Sequence, residues 1–179
     1  MATLLHASLS RFAHIDAPVI IALNGTAGGG GFSLALSGDY VIASQSAKFV
    51  SAYTASGLTP DGSSTYYLAK HIGLLRAKEL MLTNRVLTAQ EALDWGLVNK
   101  VVAPEAVLLE AQKMAKHIAS GPTKAYGGVK RLLDTAFSDG LETQLDRETR
   151  SIADSMRTDD GPAGIASFLA KNTPTFTGT

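Results

Sequence analysis

The order of hydrophobic and polar residues divides the chain into short apolar runs, followed by longer helical patterns. Apolar side chains share one face of residues 3–14, which predicts an amphipathic helix. Residues 18–23 and 40–43 are short apolar runs that predict strands, and a buried helix is predicted between them over 30–37. A strand, a helix and a second strand in this order predict a parallel βαβ unit and an α/β fold.

The rest of the chain has mainly helical periodicity. Thr88 and Glu91 have the spacing of a capping box, in which each side chain bonds the backbone of the other residue. That helix ends at Gly96, residues 97–102 return as a strand, and Pro104 opens a further helix. The other predicted elements are a strand over 48–50 and helices over 64–71, 76–82, 123–137, 141–156 and 162–171.

The composition limits the class of protein. With 179 residues, of which 45% are hydrophobic and 18% charged, the chain suits one globular domain. Sixteen basic residues balance sixteen acidic ones without a basic stripe, so nucleic acid is not an expected partner. There is no cysteine, no apolar run long enough to span a bilayer and no secretory signal pattern. We therefore expect a cytoplasmic protein that does not act at a membrane.

Four consecutive glycines, Gly28–Gly31, lie between the first predicted strand and the helix that follows. Glycine lets a backbone approach a ligand closely, and a helix N-terminus presents unpaired N–H groups. Such a corner suits a phosphate, a carboxylate or a developing oxyanion, although a tight turn into a helix also explains it. The Gly-Lys-Ser/Thr ending of a phosphate-binding loop is absent, and Ser33 replaces the third glycine of a dinucleotide fingerprint. An oxyanion-type site is the remaining chemical interpretation.

A series of motifs in a fixed order extends over essentially the whole chain. The segment Asn24–Gly31, followed by Ser33 and Asp39, resembles the signature of the crotonase family, the enoyl-CoA hydratases and isomerases. The resemblance implies a core of ββα spiral turns, here over residues 1–121, and a helical trimerisation region over 122–179. Further matches are Ala47–Phe49, Gly57–Gly62, Leu80–Thr83, Ala89–Ala92, Trp95–Val98 and Phe168–Phe176.

The family resemblance also implies a substrate and a partner. The substrate is an acyl-CoA thioester whose carbonyl oxygen accepts from two backbone N–H groups, one of which corresponds to Gly30, with Gly29 beside it. Coenzyme A is part of this substrate, so no metal or redox cofactor is implied, and the expected assembly is a homotrimer or a dimer of trimers. Because the match begins inside the family pattern, we expect this chain to lack the N-terminal strands and the loop with the other donor.

Two positions depart from the hydratase pattern. Hydratases resemble one another in having two glutamates that activate water, whereas this chain has Ser33 and Tyr53, neither of which is a carboxylate base. Asp61 matches the base of several isomerases of the family and the nucleophile of its aryl-CoA dehalogenases. Pro60-Asp61-Gly62 is also a good turn sequence, in which aspartate usually caps the local backbone. With both glutamates absent, we predict that Asp61 is catalytic.

The pattern looks closest to the isomerases of ring-epoxidised phenylacetyl-CoA and to the Δ3-to-Δ2 enoyl-CoA isomerases of fatty acid metabolism. We therefore predict an acyl-CoA isomerase that shifts a double bond, or opens a ring epoxide, through an enolate with Asp61 as the base. The alternatives are an enoyl-CoA hydratase, an acyl-CoA hydrolase that uses a water held by Asp61, and an inactive member that only binds CoA esters or assembles.

Several other residues are assigned by position. Ser33, Tyr53 and Leu58 are predicted to line the acyl pocket. Phe168 and Lys171 match positions that approach the CoA of a neighbouring subunit, although Lys171 also suits a solvated helix end. The four histidines share no metal spacing, and each is interpreted as a surface or cap residue. Apolar stripes in the last third either close the core or form a subunit contact; they contain Ile152, Met156, Ile165, Phe168 and Leu169.

Overall fold

The computed structural model describes residues 2–179. The chain divides into two compact units. The first contains the chain up to Ala13 together with Val19–Met114, and the second contains His14–Pro18 and Ala115–Thr179. The strands of the described chain all belong to the first unit.

The first unit alternates short strands with helices. Its strands are β1 (Ile20–Leu23), β2 (Ala27–Gly28), β3 (Tyr40–Ser44), β4 (Lys48–Val50), β5 (Leu87–Thr88) and β6 (Lys100–Val102). Its helices are α1 (Ala2–His14), α2 (Gly30–Leu36), α3 (Ser64–Thr83), α4 (Ala89–Asp94) and α5 (Val107–Ala119), of which α1 and α5 continue into the second unit. Two 3₁₀ turns, Thr54–Ser56 and Pro104–Ala106, precede α3 and α5.

These six strands form two three-stranded sheets. β1, β3 and β6 lie side by side in parallel, with Ile21 opposite Val41 in the first pair. In the other sheet β2 is parallel to β4, and β4 is antiparallel to β5. The chain runs from β1 in one sheet to β2 in the other and then into α2. It repeats this order with β3, β4 and α3. This is the expected spiral of ββα turns, and the predicted parallel pairing of β1 with β3 is confirmed.

The local predictions differ from the structure mainly in the shortest elements. β2 and β5 are absent from the sequence prediction, because two residues are too few to produce a periodic pattern. Gly73 (φ 76°, ψ 164°) kinks α3 between the two helices that the sequence predicts there. The capping box of α4 is confirmed: Thr88 Oγ1 accepts from the Glu91 N–H at 3.2 Å, and the Glu91 carboxylate accepts from the Thr88 N–H at 2.9 Å.

The hydrophobic core of the first unit fixes the start of α2. Phe32 of α2 and Phe49 of β4 are buried edge to face, with ring centroids 6.1 Å apart. Leu68 and Leu87 are fully buried in the same cluster. Burying one such side chain contributes about 1.5–3 kcal/mol. Because Phe32 directly follows the glycine run, its burial anchors that run against the core.

The second unit consists of helices α6 (Thr123–Thr135), α7 (Leu141–Ser155) and α8 (Asp160–Leu169), with the segment 14–18 and a C-terminal tail. Asp16 forms ion pairs with Lys124 at 3.1 Å and with Arg131 at 2.6 Å.

The predicted domain boundary at residue 121 stays a prediction. None of the helices within residues 2–179 has the length and apolar character needed to cross a bilayer. The predicted apolar stripes do not close a core within this chain, since all five residues are exposed: Ile152, Met156, Ile165, Phe168 and Leu169.

The C-terminal tail is held at the start of α8. The buried Asp160 carboxylate accepts from the Thr177 N–H at 2.7 Å and from the Gly178 N–H at 2.9 Å. In return, the Thr179 carbonyl oxygen accepts from the N–H groups of Asp159 and Asp160. The tail thereby satisfies backbone donors that a helix N-terminus leaves unpaired.

Candidate active site

β2 leads into α2 through the glycine corner, which we define as Gly28–Gly31. Gly29 has φ 52° and ψ −123°, a conformation that side chains rarely adopt, and its N–H donates to the Val50 carbonyl oxygen at 3.2 Å. Gly30 is the first residue of α2, and within residues 2–179 its N–H meets no acceptor. The corner therefore offers a backbone donor to a ligand oxygen, as an oxyanion site requires.

Ser33 lies within the first turn of α2 and is 0% exposed. Its Oγ lies 2.8 Å from the Asp61 carbonyl oxygen, 3.1 Å from the Tyr53 hydroxyl and 3.3 Å from the Gly29 carbonyl oxygen. One buried hydroxyl thus contacts the glycine corner on one side and the segment carrying Tyr53 and Asp61 on the other.

Tyr53 lies between β4 and the following 3₁₀ turn. Its hydroxyl donates to Oδ1 of Asp61 at 2.6 Å. Burial raises the pKa of the Tyr53 phenol above its ordinary value of 10.0, and the hydrogen bond to Asp61 raises that pKa further. The phenol consequently stays protonated, and able to donate, throughout the neutral pH range.

Asp61 is held through its backbone as well as its side chain. Besides Ser33 Oγ, the Ser64 Oγ donates to its carbonyl oxygen at 2.9 Å, and the Ser64 N–H does so at 3.3 Å. Asp61 thus begins a turn, as its sequence suggests, but among the described residues its carboxylate bonds Tyr53 and does not cap the local backbone. The side chain is 37% exposed, so the carboxylate is both anchored and accessible to a ligand.

The segment that carries both residues, which we call loop 52–63, has unusual backbone angles at its two ends. Ala52 has φ 61° and Ser63 has φ 65°, in the left-handed region that non-glycine residues rarely occupy. Such conformations persist only where the surrounding structure enforces them, and they cluster at functional sites. The hydrogen bonds of Tyr53 and Asp61 lie between these two positions.

Gly62 brings loop 52–63 close to α2. It has φ 61°, and a Cβ at this position would lie 2.8 Å from Ser33 Cβ and 3.4 Å from Leu5 Cδ2. The same Leu5 methyl group would lie 3.9 Å from a Cβ on Gly30. Leu5 therefore packs between the glycine corner and the residue that follows Asp61, which brings Gly30 and Asp61 to one region of the first unit.

His6 is a member of the site that the sequence interpretation missed. Its Nε2 accepts from the Gly62 N–H at 3.1 Å and lies 3.7 Å from Oδ2 of Asp61. The side chain is half exposed, as expected for a surface histidine, but it bonds a backbone group 56 residues away. No local motif carries this information, since only the packing of α1 against loop 52–63 brings the two groups together.

The remaining predicted site residues are more exposed. Leu58 is 61% exposed within loop 52–63. Phe168 is 80% exposed at the end of α8, and Lys171 follows that helix with φ 57°. The last two belong to the second unit, and substrate binding by all three residues stays a prediction.

Chemically, the groups described around Ser33 thus comprise the Asp61 carboxylate, the free Gly30 N–H, the neutral hydroxyls of Ser33 and Tyr53, and the His6 imidazole. A carboxylate can take up and return a proton, and a fixed N–H can stabilise a developing negative charge. This combination suits proton transfer next to a carbonyl group.

Comparison with known proteins finds relatives of this chain. The chain is 42% identical over 168 residues to the 1,2-epoxyphenylacetyl-CoA isomerase of Escherichia coli (strain K12), covering 94% of this chain and 64% of that protein. It is 37% identical over 161 residues to a probable enoyl-CoA hydratase of Rhodobacter capsulatus, covering 90% of this chain and 63% of that protein. The chain thus spans just under two thirds of the length of these curated relatives.

The fold is shared as well. The crystal structure of an enoyl-CoA hydratase from Polaromonas sp. JS666 superposes with a TM-score of 0.93 at 36% sequence identity, covering 98% of this chain and 68% of that one. This confirms the predicted α/β fold. A family model described as enoyl-CoA hydratase/isomerase matches residues 3–179. The chain belongs to the enoyl-CoA hydratase/isomerase family, also called the crotonase family.

Proposed function

We propose that this protein is an acyl-CoA isomerase in which Asp61 moves a proton along the acyl chain while the Gly30 N–H holds the thioester oxygen. The observation that carries the proposal is the 2.6 Å hydrogen bond from the Tyr53 hydroxyl to Asp61. It anchors the single carboxylate of the site next to Ser33, which itself contacts the glycine corner.

In the proposed reaction the substrate is a 3-enoyl-CoA. Asp61 removes a proton from C2, and the electrons of that C–H bond delocalise over C2 to C4 and the thioester oxygen. The Gly30 N–H stabilises the resulting dienolate, a contribution worth roughly 10²–10³ in rate for one donor. Asp61 then returns the proton to C4, which leaves the double bond between C2 and C3. Substrate and product are isomers, so no other reactant is consumed.

Hydration by two glutamates is not supported by the groups present. The positions that match those glutamates hold Ser33 and Tyr53, whose hydroxyls lie 3.1 Å apart and both contact Asp61. Since the pKa of Tyr53 is raised above 10.0, its phenol is a donor and not a base at neutral pH. The two hydroxyls hold Asp61 in position, and neither of them provides the carboxylates that hydration by two glutamates requires.

Opening of a ring epoxide in an aromatic CoA thioester is the other isomerisation that fits the same site. The 42% identity to a 1,2-epoxyphenylacetyl-CoA isomerase supports it. It also conserves mass and uses the same thioester contact at Gly30. Parallel assays with a 3-enoyl-CoA and an epoxidised phenylacetyl-CoA distinguish the two substrates.

One observation favours a second candidate function, hydrolysis of an acyl-CoA. The Asp61 side chain is 37% exposed, so its carboxylate can hold a water molecule and take a proton from it. Product analysis separates the reactions, because isomerisation conserves mass, hydration adds one water and hydrolysis releases free coenzyme A.

The proposed assembly is a homotrimer or a dimer of trimers. The support is the set of apolar side chains that the second unit leaves exposed on α7 and α8, which include Ile152, Phe168 and Leu169. Burying such a surface between copies lowers the free energy of the assembly. Native mass spectrometry tests this, and a monomer at micromolar concentration contradicts it.

The experiment for the catalytic proposal replaces Asp61 by Asn. Asp61→Asn is expected to abolish conversion of a 3-enoyl-CoA to the conjugated 2-enoyl-CoA, while calorimetric titration still shows binding of the CoA ester. Asp94→Asn is the matched control, since Asp94 is exposed and bonds only its helical neighbour Gln90 among described residues. Wild-type turnover by Asp61→Asn contradicts the proposal. A chain that neither turns over nor binds any CoA ester supports a member that only assembles.

A further inference from the structure

We propose that Tyr53 is a positioning residue that assigns proton transfer to one oxygen of Asp61, Oδ2. This inference rests on the proposed function, because it names the atom that performs its central step. Tyr53 stands at a position where hydratases of the family have a glutamate. From the sequence it is predicted only to line the acyl pocket.

The hydroxyl protons of the site have defined acceptors. Tyr53 has one proton, and its shortest contact is Oδ1 of Asp61 at 2.6 Å. Ser33 also has one proton, and its shortest contact is the Asp61 carbonyl oxygen at 2.8 Å. The two hydroxyls therefore hold Asp61 at two points, the side chain by Tyr53 and the backbone by Ser33. Oδ1 is occupied by a charge-assisted hydrogen bond, the stronger kind.

The other carboxylate oxygen of Asp61, Oδ2, has a different hydrogen-bonding environment. The group beside it is His6 Nε2 at 3.7 Å, beyond hydrogen-bond distance. That nitrogen accepts from the Gly62 N–H, so in the neutral imidazole the proton lies on Nδ1 and Nε2 has none to donate. Within the described part of the chain Oδ2 thus accepts no hydrogen bond, and its lone pairs are free for a substrate proton.

A carboxylate fixed through one oxygen cannot rotate freely about its Cβ–Cγ bond. Its second oxygen then points in one direction, and the approach geometry of a proton donor is set before the substrate binds. A partly buried tyrosine is suited to this task, since its raised pKa keeps the donor proton in place. The expected signature is an effect on kcat with little effect on KM, because Tyr53 acts on the base and not on the CoA ester.

The test compares two replacements at position 53 with Asp61→Asn. Tyr53→Phe keeps the ring and removes the donor, and it is expected to lower kcat roughly ten- to hundredfold with KM changed less than about threefold. Site-specific incorporation of 3-fluorotyrosine at position 53 keeps a hydroxyl donor, and it is expected to keep kcat within about threefold of wild type. Thermal unfolding of each variant separates loss of the donor from loss of the fold.

The outcomes separate this inference from the proposed function. If Asp61→Asn has wild-type activity, the proposed function fails and this inference fails with it. If Asp61→Asn is inactive and Tyr53→Phe has wild-type kcat, only the role of Tyr53 is overturned. The role is also overturned if the fluorinated variant is folded but loses kcat as much as Tyr53→Phe does.

Discussion

The hydroxyl of Tyr53 donates a 2.6 Å hydrogen bond to the carboxylate of Asp61 across the length of loop 52–63. Ser33 of α2 contacts both residues, and Ser33 also lies 3.3 Å from the carbonyl oxygen of Gly29. A continuous set of polar contacts therefore links the Asp61 carboxylate, through Tyr53 and Ser33, to the glycine corner. Asp61 of loop 52–63 and Gly29 of the glycine corner thus both contact the same buried hydroxyl, that of Ser33.

Ionisation of Tyr53 provides a direct measure of this contact. We expect the Tyr53 phenol to titrate above pH 10.0, mainly because burial disfavours the phenolate and further because the neighbouring Asp61 carboxylate repels it. Asp61→Asn removes that negative charge and is expected to lower the pKa of Tyr53 while leaving the burial effect. NMR of ¹³Cζ-labelled tyrosine resolves the five tyrosines, four of which serve as internal controls. An unchanged Tyr53 titration in Asp61→Asn contradicts the contact.

The role of the Gly30 N–H can be tested without disturbing α2. Proline is tolerated at the first position of a helix, so Gly30→Pro deletes the donor with little effect on folding. We expect kcat/KM for a 3-enoyl-CoA to fall by roughly 10²–10³. Gly31→Ala is the control, because a Cβ there meets no atom within 4 Å and the N–H is kept. Equal activity of the two variants counts against an oxyanion donor at Gly30.

Gly62 and Gly57 form a matched pair for the packing of loop 52–63. Both have positive φ, 61° and 69°, so alanine at either position costs about 1–2 kcal/mol in backbone strain. Only at Gly62 does a Cβ also approach Ser33 Cβ, to 2.8 Å, which adds about 1–3 kcal/mol. Gly62→Ala is therefore expected to lower the free energy of unfolding in urea more than Gly57→Ala does. Equal losses rule out close packing of Gly62 on Ser33.

Acidification is expected to release the C-terminal tail. The Thr177 and Gly178 N–H groups hold the pKa of Asp160 below its ordinary value of 3.8. A lowered pKa in the folded state means that this stabilisation is present above pH 3.8 and is lost as the pH falls through the folded value. The amide chemical shifts of Thr177 and Gly178 are expected to change cooperatively in that range.

Asp160→Asn is expected to weaken these contacts at all pH values and to remove their pH dependence. Asp159→Asn is the matched control, because Asp159 is the preceding residue and its side chain is exposed. A tail that opens at the same pH in wild type and in Asp160→Asn contradicts this account.

The sequence alone predicted the secondary-structure elements that depend on interactions between residues close together in the chain. Unbroken apolar runs predict β1 and β3, because apolar residues on both faces are typical of strands in a parallel sheet. The capping box at Thr88 is predicted as well, since its two residues lie three positions apart and their contact needs no distant partner. The family motifs are also local stretches of sequence, and they identified Gly30 and Asp61 as candidate residues without information on tertiary contacts.

The tertiary structure decided which of these side chains meet. Ser33 and Tyr53 are 20 residues apart, and His6 and Gly62 are 56 apart, so no periodicity connects them. Their contacts depend on how α1, α2 and loop 52–63 pack around Leu5, and on glycines small enough to allow that approach. The sequence could therefore suggest Asp61 as the base, but only the folded chain shows that Tyr53 donates to its Oδ1 and that no residue within 2–179 donates to its Oδ2.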